Sequence, residues 1–285
     1  MSADTATDGV RRTSNTFLRD VWTNFMRWNI NAIRNPFVVI SSLLQPVIFL
    51  VLFTQVFGNV AGRALPGGIA YETYLVPAIA VQVALIVASS SGIGLVDDIE
   101  SGVFQKTLVT PMNRTAVFLG KTLSELVRIV AQVVIILVLG VALGAEIETG
   151  VLGGLAIVGV AILFALWFLA LSNTVALVTR DQESTIIAAN LIQLPLLFLS
   201  SAFIPLEALP GWIQTFAKVN PITYGVDAAR ALMLDADVMD VWTVTAFGGI
   251  WDTLVPAMAV LLVLDVALGA IAVYMIERAS SASVQ

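Results

Sequence analysis

An all-α integral membrane protein, crossing the bilayer six times, is the fold class this sequence predicts. Three observations predict it. Hydrophobic residues make up 58% of the chain and charged residues 12%, about half the charged share of an ordinary soluble domain. Mean hydropathy is +0.93. Apolar stretches of about 20 residues, enough to cross a hydrocarbon core of about 30 Å, recur along the 285 residues. No water-soluble core hides this much Leu, Val, Ile and Ala, so lipid is the solvent for most of the chain.

The elements follow in order. Residues 1–36 form a polar N-terminal segment with Arg11, Arg12, Arg19, Arg27 and Arg34. Its basic region is too long for a cleaved signal, and a full span follows it, so it reads as an uncleaved anchor. Within it Phe17, Leu18, Val21, Trp22, Phe25 and Trp28 recur at helical spacing between Arg19, Asp20, Asn24, Arg27 and Asn31. That pattern predicts an amphipathic helix in the headgroup layer, capped by Thr13 or Ser14 and ended by Asn35-Pro36. The six-span domain, 37–276, places its spans at 37–57 (with Pro46 as a kink), 71–96, 121–143, 151–178, 185–203 and 254–276. A tail, 277–285, closes the chain. Two connections exceed simple turns: 97–120, and 204–253 with apolar stretches at 212–216 and 238–250 that read as short interfacial helices.

Basic residues set the orientation. The N-terminal side holds the five N-terminal arginines with Lys106, Arg114, Lys121, Arg180 and Arg278; the other side holds only Arg63, Lys218 and Arg230. Both termini are therefore expected in the cytoplasm, in the cell membrane. The net charge of −6 runs against the usual basic loops. Carboxylates cluster at Asp97, Asp98 and Glu100, at Glu146 and Glu148, and at Asp235, Asp237 and Asp240. Such acidity suits a salt-rich cytoplasm, where self-repulsion is screened. With no cysteine and no histidine, disulfides, thiolate or imidazole metal sites and His- or Cys-dependent catalysis are excluded. No catalytic residue or metal site is expected, and no nucleic-acid partner.

Gly120-Lys121-Thr122 matches the end of a phosphate-binding loop, but position 115 is Thr where that loop needs Gly, and no strand precedes it. The chain carries no ATPase of its own. Gly140/Gly144 and Gly150/Gly154 have the spacing of close helix contacts. More informative is the amphipathic run from Glu100 through Gly102, Val103, Phe104, Gln105, Lys106 and Leu108 to Pro111. Far along the chain, Pro205-Leu-Glu-Ala-Leu-Pro210-Gly-Trp212 leads to Asn220-Pro221-Ile-Thr-Tyr224 and to Asp227 and Arg230, one helical turn apart. The two prolines break any continuous helix, and Trp212 suits an interface.

These two segments, with the N-terminal helix, resemble the permeases of the type-2 ABC transporter family. The first resembles that family's cytoplasmic motif, from Glu-x-Gly through a Leu to Thr-Pro. The second resembles its signature before the last span, from which the acidic stretch 235–240 departs. The resemblance implies a coupling helix (Glu100, Gly102, Phe104, Leu108, Pro111) resting on a separate ATP-binding-cassette ATPase subunit, which holds ATP and Mg while this chain binds no cofactor. It also implies a second permease copy and export of a hydrophobic or amphiphilic substrate. Pro205, Pro210, Trp212, Asn220, Pro221, Asp227 and Arg230 then form an external gate. The surface reading of Asp227 and Arg230 is an exposed ion pair worth under about 1 kcal/mol.

Asp265 lies near the middle of the last span, where an ionised carboxylate costs about 2.5–3.5 kcal/mol. It either hydrogen-bonds within the bundle or lines a cation path. The second option is the basis of an alternative function, an ion-gradient-driven secondary transporter. That class normally shows inverted repeats and several interior acids, and the sequence has no clear repeat. Glu125 and Arg128, one turn apart in the third span, are expected to satisfy each other.

Overall fold

The computed structural model describes residues 14–61, 68–103, 112, 114–239, 241–242 and 244–282. Among them every regular element is helical: α1 (Ser14–Arg34), α2 (Pro36–Ala61), α3 (Tyr71–Glu100), α4 (Arg114–Ala142), α5 (Gly150–Thr179), α6 (Gln182–Phe198), a 3₁₀ turn (Leu206–Ala208), α7 (Gly211–Ala217), α8 (Pro221–Leu234) and α9 (Trp251–Ala282). Five are long and apolar enough to cross a membrane: α2, α3, α4, α5 and α9. The expected fifth span, 185–203, is the 17-residue α6, which ends at Phe198. Pro195 lies inside its last turn, Leu199 forms a turn and Ser200 to Ile204 form bends.

The central helix is α3, where Leu75, Ile79, Val83 and Leu85 are fully buried. Around it stand α2, α4, α5, α6 and α8, while α9 packs on α5 and α8. A helix buried on every side has no polar face, and α3 reads that way from Tyr71 to Val96. On α2 and α9 the outward face is Ile40, Leu44, Ile48, Leu52 and Leu262, Val263, Val266, apolar side chains left to lipid. Helix α2 runs through Pro46 without ending.

Small residues set the closest approaches. A Cβ on Gly92 would collide with the Ser172 backbone of α5, and one on Gly225 would lie 2.7 Å from the Phe164 ring. Of the two glycine pairs singled out by spacing, Gly140 abuts Val76, but Gly144 and Gly150 take positive φ (106° and 65°) in the α4–α5 turn, a conformation that glycine adopts without strain. Gly154 meets only Ile147. Two of the other expected boundaries differ and one holds. α4 starts at Arg114 rather than 121, so Lys121 lies about two turns inside it. α7 occupies the expected short helix at 212–216. The stretch 238–250 forms no helix among its described residues. There Thr253 Oγ1 accepts from Val238 N (3.0 Å), and Asp252 Oδ1 accepts from Phe247 N (2.8 Å) and Gly248 N (3.1 Å). These side chains at the start of α9 take up the backbone donors that a helix would use internally.

Asp181 caps α6 by accepting from Ser184 N at 2.7 Å; the Ser184 hydroxyl first, and then this backbone bond, hold its carboxyl below the ordinary carboxylate range. A lowered value means that the cap is complete above the ordinary range and fades as pH falls through the lowered one. Amide exchange at Ser184 is therefore expected to be faster in Asp181→Ala than in the parent protein at neutral pH, with the ratio closing in acid.

Candidate functional site: a polar junction at one end, a cavity at the other

At the end of the bundle that holds α1, Glu100 terminates α3. Its Oε1 accepts from Gln182 N (3.1 Å), the first amide of α6. A carboxylate is disfavoured at its own helix C-terminus and favoured at another helix's N-terminus, so this contact ties the two together. Gly102 follows with φ 73°. The remaining expected coupling residues, Phe104, Leu108 and Pro111, lie outside the described residues.

Beside Glu100, Arg27 of α1 pairs with Asp98 at 2.8 Å, and the Arg27 guanidinium lies 5.1 Å from the Trp28 ring. Gly120 of α4 receives α1: a Cβ there would sit 2.6 Å from Val21 O and 2.7 Å from Asn24 Cβ. The aromatic stripe of α1 is thus divided. Trp28 packs against Gly94 of α3, while Leu18 and Trp22 stay exposed and polar Asn24 is buried.

The sequence places Lys121 among the basic residues of the inner side. The structure buries it to 3% exposure. Its Nζ donates to the Ser91 carbonyl (2.8 Å), to the Ser91 hydroxyl and to Asn173 Oδ1 (3.1 Å), with the Trp28 ring 5.3 Å away. Nearby, Ser172 Oγ donates to Ser89 O (2.7 Å) and accepts from Gly92 N (3.0 Å). Arg128 donates to Ser90 Oγ and lies 3.5 Å from Glu125, as the spacing predicts.

At the other end, Asn220 caps α8: its Oδ1 accepts from Ile222 N (3.0 Å), with Pro221 in the first turn. Its Nδ2 donates to Leu196 O and Leu199 O, anchoring α8 to the end of α6. Pro205 and Pro210 start the 3₁₀ turn and α7, and Trp212 is exposed. Tyr224 Oη donates to Lys218 O (2.6 Å); burial, then the Asp227 charge, pushes its phenol up.

Asp227 and Arg230 are not a surface pair: their relative exposures are 0% and 2%. Arg230 Nε donates to Tyr74 O (3.1 Å), its Nη2 donates to Ala202 O (2.6 Å), and the guanidinium lies 3.6 Å from the Tyr74 ring. Asp227 Oδ1 accepts from Ser201 Oγ (3.0 Å) and stands 3.8 Å from Arg230 Nη1. Arginine's planar fork reaches α3 and the chain after α6 simultaneously, which a lysine could not do. Arg230 also borders a cavity of about 1270 Å³. Phe53, Phe57, Tyr71, Tyr74 and Phe203 contribute its aromatic lining, and Glu146, Glu148, Glu207, Asp235 and Asp237 its carboxylates. It is larger than the about 300–1,000 Å³ of a drug-sized ligand pocket and more acidic than most.

Asp265 lies against the backbone of Trp167 on α5, and both its oxygens are buried without a hydrogen-bond partner among the described residues. No group of acidic residues among the described ones could hold a metal.

Residues 19–234 match the family model described as ABC-2 type transporter, a region that includes both polar ends and stops before Asp265. The chain is 29% identical over 198 residues to the daunorubicin resistance ABC transporter permease protein DrrB1 of Streptomyces coeruleorubidus, covering 70% of this chain and 69% of that one. It is 27% identical over 216 residues to the probable doxorubicin resistance ABC transporter permease protein DrrC of Mycobacterium tuberculosis (74% and 77%). It is 30% identical over 223 residues to the putative transport permease ycf38 of Cyanophora paradoxa (77% and 76%). Membrane-length helices, the buried far-end signature and this match agree: the chain is a multi-pass membrane protein that belongs to the ABC-2 type transporter family.

Proposed function

We propose that the chain is the permease subunit of an ATP-driven exporter, moving a hydrophobic or amphiphilic cargo out of the cell. ATP and Mg are bound and used by a separate ATP-binding-cassette subunit, and this chain performs no catalysis. The match to ABC-2 transporters across residues 19–234 carries the reading. Relatives named for daunorubicin and doxorubicin resistance favour a drug-like cargo.

In this reading α6 is the fifth of six spans. Its 17 residues rise about 26 Å, and local thinning of the bilayer absorbs the shortfall. The distribution of basic residues makes the α1 end cytoplasmic, with Leu18, Trp22 and Ile33 turned to the headgroup layer. The connection 97–120 rests on the ATPase through Glu100, Gly102, Phe104, Leu108 and Pro111. A second permease copy completes the assembly. Asp227 and Arg230 brace the external gate beside the cavity, with Pro205, Pro210, Trp212, Asn220 and Pro221 shaping its helices. ATP binding below shifts the population between two states of the bundle above.

The test is export of doxorubicin into inside-out proteoliposomes holding the chain with its ATPase. Accumulation is expected only with ATP and both subunits. Replacing Glu100 and Phe104 together by alanine is expected to lower accumulation ten-fold or more while the ATPase continues to hydrolyse ATP. Cargo moved by the chain alone under an ion gradient would reverse the reading in favour of the secondary transporter, for which the unpartnered Asp265 is the supporting observation.

A further inference from the structure

We infer that Lys121 is the positioning residue that makes α1, α3, α4 and α5 respond as one body when the α3–α4 connection is pushed; this rests on the exporter reading above. The connection leaves α3 after Glu100 and enters α4 at Arg114. A push there reaches α3 and α4 through the chain itself. It reaches α5 through side chains. Lys121 is the one side chain among the described residues whose hydrogen bonds join α4 to both α3 and α5, through Ser91 and Asn173. Trp28 of α1 covers the same ammonium.

The chemistry of this contact argues against a role in stability alone. A buried ammonium is costly unless paired, and no carboxylate lies within ion-pair distance of Lys121 among the described residues. Glu125 and Asp98 act on it only from further away. Its direct acceptors are neutral. Ser91 and Asn173 are moreover within hydrogen-bonding distance of each other (3.3 and 3.4 Å), so they remain satisfied without the lysine. An apolar side chain of similar length would therefore leave a well-packed junction in which α3 stays bonded to α5 but α4 has lost its hydrogen bond to α5. Three donors on one ammonium fix the relative height of α3, α4 and α5 in a way that apolar packing does not.

The experiment uses the full permease–ATPase complex in nanodiscs. The chain has no cysteine, so Ile40→Cys on α2 and Val178→Cys on α5, both exposed, are its sole labelling sites; mixing labelled chain with an excess of unlabelled chain, and using an ATPase whose own cysteines are replaced, isolates the one intramolecular distance. In the parent protein, trapping with ATP and vanadate is expected to shift that distance. In Lys121→Met the shift is expected to be lost, with ATPase association intact and melting temperature unchanged or higher. Asn173→Leu, which removes the α5 partner and keeps the lysine, is expected to give the same loss, and the double variant no further loss. A shift that persists in both single variants overturns the inference. A parent complex that shows no nucleotide-dependent shift overturns the exporter reading, and this inference with it. If Lys121→Met fails to assemble, Asn173→Leu alone decides.

Discussion

Replacing Arg230 by methionine is expected to destabilise the far end of the bundle by about 3–5 kcal/mol, the scale for removing one partner of a buried charge pair. The cost has two sources. The carbonyls of Tyr74 and Ala202 lose the hydrogen bonds that Arg230 donates, and buried Asp227 loses the guanidinium 3.8 Å away. Lysine is expected to rescue only in part, because a single ammonium cannot reach both carbonyls and stack on the Tyr74 ring. The double variant Asp227→Asn/Arg230→Met is expected to be more stable than Arg230→Met, since neutralising Asp227 removes the stranded charge. Thermal melting in nanodiscs, read by tryptophan fluorescence, checks the series. Equal melting of Arg230→Met and the parent protein would show that the guanidinium is not a brace.

The second large effect is expected at Gly92. Valine there must push α3 from α5, because its Cβ would meet the Ser172 backbone, which cannot rotate away as a side chain can. Overpacking a tight contact costs about 1–3 kcal/mol. The separation would also stretch the Gly92 N to Ser172 Oγ bond and the Ser91–Asn173–Lys121 contacts next to it. Gly159→Ala is the matched control: nothing lies within 4 Å of its Cβ position, and alanine in a helix is better than glycine by about 0.5–1 kcal/mol. The expected result is a clear fall in melting temperature for Gly92→Val and no fall for Gly159→Ala.

The two ends of the molecule differed in how much of them could be read in advance. The far-end signature was legible as punctuation. Pro205, Pro210 and Asn220-Pro221 stop and start helices through their own backbone chemistry, and the 3₁₀ turn, α7 and α8 begin at them. What Asp227 and Arg230 do there was not legible. One turn apart, they fit an exposed pair as well as a buried one, and their burial comes from Tyr74 and Ala202, distant in sequence. Lys121 is the sharper case. A lysine near a basic loop reads as a headgroup contact, and only the approach of Ser91, Asn173 and Trp28 from three other helices makes it interior. Asp265 is the converse: its depth followed from its place in a long apolar run, but its lack of a partner depends on what α5 presents to it. The stretch 238–250 is apolar enough for a helix, but apolar composition alone does not make one when Asp252 and Thr253 claim the backbone donors first.

Composition and apolar run length, by themselves, determined that lipid surrounds this protein and where its long helices lie, because the cost of exposing apolar surface to water, or bare backbone to lipid, depends on local sequence. Tertiary structure alone decided which polar groups are interior and what they hold. A charge becomes buried only when side chains from distant helices close over it, and nothing in the residues beside it records that closure.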